Sequence, residues 1–129
     1  MKFISVYKTA ERETPPTQEE MDRMGKLIEE GMKAGWLLAV EGCMPSATGA
    51  RVRKADGKTI VTDGPFAETK ELIGGYWVID AKSMSEAVEW AKRVPTPEAA
   101  DMEVEIRQFQ GLEEFFPVKT PSRTLGAGK

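Results

Sequence analysis

Few residue types in this chain can do chemistry. The sequence contains no histidine and a single cysteine, Cys43. That excludes serine–histidine and cysteine–histidine nucleophile pairs, imidazole metal ligation and a proximal-histidine haem. One cysteine also excludes an intramolecular disulfide and a thiolate metal cluster. Cys43, between Gly42 and Met44 with no basic cluster beside it, reads as inert rather than nucleophilic. No clustered aspartate loop of the calcium-binding kind is present, so no metal and no other cofactor is expected. Any acid–base work falls to carboxylates, tyrosine, lysine, arginine or backbone groups.

The carboxylate in the most constrained setting is Asp63, at the head of Asp63-Gly64-Pro65-Phe66. Pro65 fixes its own φ and pushes Gly64 toward extended backbone, which makes a stiff corner with Phe66 as its anchor. Asp63 can accept hydrogen bonds from N–H groups two residues on, in an Asx-turn. Held that way, Asp63→Ala costs about 1–3 kcal/mol. The alternative is a general acid or base beside a pocket, which needs burial to lift its pKa. Glu105 and Arg107 stand two apart on an alternating segment and so share a face. Lining a cavity, Arg107 could hold an anionic ligand bidentately; facing water, the two form a solvated ion pair. Tyr7, Ser5 and Glu41 are candidates to add polar groups to that same cavity from neighbouring strands. Otherwise Tyr7 packs with a satisfied hydroxyl.

These residues need elements to position them. Residues 1–7 alternate Ile4 and Val6 with Phe3, Ser5 and Tyr7, which is strand periodicity. After Pro15-Pro16, Thr17 and Glu20 have capping-box spacing, and Met21, Met24, Leu27, Ile28 and Met32 recur at helical intervals up to a stop at Gly35. Strands are expected over 36–41, 50–54, 58–62 and 74–80, with Asp56-Gly57 turning a tight hairpin. Ser83 and Glu86 repeat the capping box before Met84, Ala87, Val88 and Ala91, and Pro95 and Pro97 end that helix. A last strand covers 102–108. The order is β-α-β, a hairpin insertion, then β-α-β: an α+β, ferredoxin-like layout with two helices on one face of an antiparallel sheet. Leu112, Phe115 and Phe116 suit a short docking turn, and residues 117–129 read as a tail beyond a single domain of 1–116.

Composition sets the outer bounds. The 129 residues, 40% of them hydrophobic, make one domain with a packed core. Eighteen basic against twenty-one acidic residues leave a net charge of −3, with no footprint for nucleic acid. No apolar run approaches the ~20 residues that cross a bilayer, and the N-terminus lacks a signal-peptide core. A cytoplasmic location is expected.

Asp63-Gly64-Pro65-Phe66 with Ala67-Glu68-Thr69-Lys70-Glu71, then Gly74-Gly75-Tyr76 and Ala87-Val88-Glu89-Trp90-Ala91, resembles the DGPF branch of the YCII-related family. Pro15-Pro16-Thr17, Glu41-Gly42 and Val104-Glu105-Ile106-Arg107 extend the resemblance over residues 1 to about 108. It implies a ferredoxin-like protomer that pairs into a dimeric α+β barrel. It also implies an association with sigma factors, beside which members of this branch are often encoded. The wider family's proposed histidine–aspartate pair does not carry over, because the first helix offers Met21, Met24 and Gly25 where that histidine would lie.

The leading expectation is a homodimer that binds a small molecule in a cleft near Asp63, with Tyr7, Glu41, Phe66, Glu105 and Arg107 as ligand contacts, in a sensory or accessory role. The alternatives are an isomerase- or lyase-type enzyme using Asp63, and an interaction module for sigma-factor-dependent transcription. The dimer is expected to use the sheet face away from the helices, because the strands carry apolar residues on both sides.

Overall fold

The computed structural model describes residues 1–11, 15–66, 72–96 and 101–116. The chain runs β1 (Lys2–Thr9), α1 (Gln18–Ala34), β2 (Leu37–Gly42), β3 (Ala50–Ala55), β4 (Lys58–Asp63), β5 (Leu72–Asp80), α2 (Met84–Lys92) and β6 (Met102–Gln108). Among the described residues, four strands form an antiparallel sheet in the order β2-β5-β1-β6, and β3 pairs only with β4 in a separate hairpin. Both helices pack on one face, α1 against β2 and α2 against β6. This is the α+β, ferredoxin-like arrangement expected from the sequence, with the hairpin inserted between the second and third strands of the sheet.

Each helix is bounded by the residues whose spacing announced it. Thr17 takes the Glu20 N–H on its side chain while the Glu20 carboxylate takes the Thr17 N–H, at 3.1 and 2.8 Å. Gly35 closes α1 in the left-handed region, φ 83°, which a glycine enters without a Cβ penalty. At α2, Ser83 caps Glu86 in the same way, but the Glu86 carboxylate reaches one residue further back, to the Lys82 N–H.

The core lies between sheet and helices. Phe3, Trp77 and Ile79 from the strands meet Leu27 of α1 and Ala87 of α2, with Trp36 and Leu37 at the start of β2. Trp36 stacks on Trp90 at 4.3 Å and tilts against Trp77. Gly31 is required here: a Cβ on it would sit 2.9 Å from the Trp36 ring and from Leu37 Cβ.

Strand register decides which side chains share a face. β1 sends Phe3, Ser5 and Tyr7 under the helices and leaves Ile4, Val6 and Lys8 on the open face. Val6 pairs with Tyr76 on one side and Glu105 on the other, and Tyr76 pairs with Glu41, so Glu105, Val6, Tyr76 and Glu41 make one open-face row. Ile4, Val78 and Ala39 belong to the next. Beyond Tyr7 the pairing with β5 shifts by one residue at Gly74, a bulge that bends the strand end.

The hairpin turns at Asp56 (φ 52°) and Gly57 (φ 73°), the left-handed pair of a two-residue turn. Its cross-strand pair Val52–Val61 is 64% and 63% exposed. Leu112–Glu114 form one 3-10 turn, after which Phe115 and Phe116 lie largely exposed on the protomer. The expected tail from 117 lies outside the described residues.

Candidate functional site

A cavity of about 490 Å³ opens between α1 and the end of the sheet. α1 lines it with Met21, Met24, Gly25 and Ile28, at i, i+3, i+4 and i+7, the spacing that puts residues on one helical face. Tyr7 and Thr9 of β1, Gly74 at the bulge and Met102 of β6 supply the sheet side. Pro16 just before α1, Glu20 in its first turn, and Pro95 and Thr96 after α2 make up the rest of the described wall. The volume falls in the range of small-molecule pockets, and the lining is of their kind: mostly apolar with few polar groups.

The polar groups of this wall are spent unequally. Thr9 Oγ1 donates within reach of the Ala10 and Asp101 carbonyls, at 3.3 and 3.1 Å. The Glu20 carboxylate is engaged in the cap of α1. The Tyr7 hydroxyl is sealed from solvent and has no hydrogen-bond partner among the described residues. Burial pushes its pKa well above the ordinary tyrosine value, so it stays protonated and keeps a proton to donate. A buried polar atom with no partner costs about 1–3 kcal/mol.

The Asp63 corner is built differently from expectation. Its two following N–H groups within the described residues donate elsewhere: Gly64 to the Gly49 carbonyl at 2.9 Å, Phe66 to Ser46 Oγ at 3.2 Å. Asp63 itself is exposed, and its carboxylate carries no hydrogen bond or ion pair among the described residues. The Asx-turn is therefore corrected to a corner held by Ser46, which is tied in turn to the Glu11 carboxylate through both its N–H and its hydroxyl. Gly64 approaches the Ser46 carbonyl so closely that a Cβ would lie 1.6 Å from its oxygen. A second cavity, about 390 Å³, is walled here by Phe66, Arg51, Ser46, Glu11 and Leu72 but not by Asp63. The Arg51 guanidinium sits 3.9 Å over the Phe66 ring.

The remaining candidates occupy the open sheet face. Glu105 binds Lys8 at 2.6 Å and Arg107 at 3.0 Å, and the Lys8 bond, then the Arg107 bond, hold its carboxyl below the usual range. Glu41 shares its row. Tyr7 and Ser5 do not join them. Register pairs Tyr7 with Val104, so both residues point to the helix side and belong to a different surface from Glu105 and Arg107. The sequence marks the methionines of α1 only by their helical spacing; the structure makes Met21 and Met24 pocket wall, together with Thr9, Met102 and Thr96, which no motif marks.

Among the described residues no three histidine, cysteine, aspartate or glutamate side chains gather to hold a metal ion. No helix is long and apolar enough to cross a membrane.

Comparison with known proteins agrees with this architecture. The YCII-related domain matches residues 1–110. An uncharacterised protein of Rhizobium meliloti (strain 1021) is 38% identical over 91 residues, which cover 70% of this chain and 71% of that protein. With a match over most of its length and the fold described above, the chain belongs to the YCII-related family.

Proposed function

We propose that this protein binds a small, largely apolar molecule in the cavity between α1 and the sheet, in a sensory or accessory role. The observation that carries the reading is Tyr7, a residue of a mostly apolar wall of ligand-binding size, whose sealed hydroxyl has no hydrogen-bond partner among the described residues. The binding cleft thus moves from Asp63 to Tyr7, Met21, Met24 and Met102. We read Asp63-Gly64-Pro65-Phe66 as the mark of the DGPF branch, with a structural role for the tetrad. A metabolite-library thermal-shift screen tests the proposal. Hits should persist in Asp63→Asn and disappear in Gly25→Leu, whose side chain would occupy the cavity. Hits lost in Asp63→Asn and kept in Gly25→Leu would return the site to the corner.

A second reading concerns assembly. The open sheet face carries half-buried Ile4, Val6, Tyr76 and Ala39 around a buried Val78, flanked by Lys8, Glu105, Arg107 and Glu41. An apolar centre with both charge signs at its margin suits a two-fold partner offering the same surface. The occupant of this face is, in our reading, a second copy of the chain.

A further inference from the structure

We infer that the cavity selects neutral carbonyl compounds, and that Tyr7 is the residue that makes the selection. The inference rests on the binding proposal above and names its ligand class. The unmet demand, behind the cavity surface to which Tyr7 contributes, is for a hydrogen-bond acceptor: the sealed Tyr7 hydroxyl keeps its proton and has nowhere among the described residues to place it. A ketone or ester oxygen meets that demand without bringing a donor of its own. A ligand hydroxyl or amine would also bring a proton needing an acceptor of its own, in a wall whose polar side chains are few and whose Glu20 carboxylate is engaged in the cap of α1.

Charge is disfavoured for a separate reason. The described wall contains no lysine or arginine, so a carboxylate entering it would shed its water with nothing positive in exchange. The hydroxyl is sealed within the protomer, and the side chains around the cavity include Met21, Met24 and Met102, unbranched and able to change rotamer. The ligand reaches Tyr7 by displacing them.

The test compares acetophenone, its hydrocarbon isostere α-methylstyrene, and benzoate, by titration calorimetry on the whole chain and on Tyr7→Phe. Acetophenone should bind the wild type about tenfold tighter than α-methylstyrene, the ratio for one relieved buried donor. In Tyr7→Phe that ratio should fall to near one while α-methylstyrene binding is unchanged. Benzoate should be the weakest of the three. Equal binding of ketone and hydrocarbon by the wild type overturns the inference and leaves the binding proposal standing, and that comparison needs no variant. A ketone preference that survives in Tyr7→Phe, or tightest binding of benzoate, also overturns it. Failure of all three to bind, with no shift in the methyl resonances of Met21, Met24 and Met102, removes both.

Discussion

At the scale of single residues, Tyr7 and Asp63 exchange the roles their sequence contexts imply. Tyr7 is the buried group with an unmet need, and Asp63 is an exposed carboxylate on a corner held by others. Removing the Tyr7 hydroxyl should therefore raise stability, by about 1 kcal/mol and several degrees in thermal midpoint. Calorimetric unfolding of Tyr7→Phe checks this, and a destabilised variant would mean that the hydroxyl has a partner. The same residue gives a pH dependence. Its pKa is raised in the folded state, so the native chain keeps a proton that the unfolded chain releases above its ordinary value of 10.0. The stability tied to that proton is whole below this value and falls as pH climbs past it. The advantage of Tyr7→Phe over the wild type should thus widen in alkaline solution, read from denaturant midpoints at successive pH. At the corner, Asp63→Ala should move stability by no more than about 0.5 kcal/mol. Gly64→Ala, which drives a methyl into the Ser46 carbonyl, should cost about 3 kcal/mol or more.

Among the elements, what was legible in the sequence is what is local. Thr17 with Glu20, Ser83 with Glu86, Gly35, and Asp56-Gly57 mark helix ends and the hairpin turn because the groups they satisfy lie within a few residues. Strand parity likewise groups Phe3 with Tyr7 and Glu105 with Arg107. Parity does not say which faces of two strands coincide, since that depends on register across the sheet, and for want of it the sequence leaves Tyr7 open between the Glu105 surface and interior packing. The cavity was illegible for the same reason. Its wall joins β1, α1, the segment after α2 and β6, and none of these encodes the others' positions. Gly25 shows what such a wall implies for one helix. It lies within α1 with nothing inside 4 Å of where its Cβ would be, so Gly25→Ala should gain about 1 kcal/mol from helix propensity alone. Equilibrium denaturation measures that gain, and a loss would mean that the wall is already full at this point.

For the whole molecule, the two faces of the sheet divide the work. The helix-covered face holds the core and the cavity; the open face carries Val6 and its row and, on our proposal, the second copy. Static light scattering should return twice the 14.3 kDa protomer mass. Val6→Glu, which sets a third carboxylate between Glu105 and Glu41, should return one protomer with unchanged helical circular dichroism. A wild type at the protomer mass would reject the assembly. The position of β1 has a consequence of another kind, in time. It is central in the sheet, between β5 and β6, although residues 10–71 separate it from one partner and residues 10–101 from the other. On the ribosome, where synthesis runs at roughly 5–20 residues per second, β1 waits several seconds for both of its neighbours. Until Met102–Gln108 emerges, one edge of Phe3, Ile4 and Val6 stays unpaired, and open apolar edges of this kind recruit other chains. A nascent chain stalled before β6 is thus the form of this protein most in need of a chaperone.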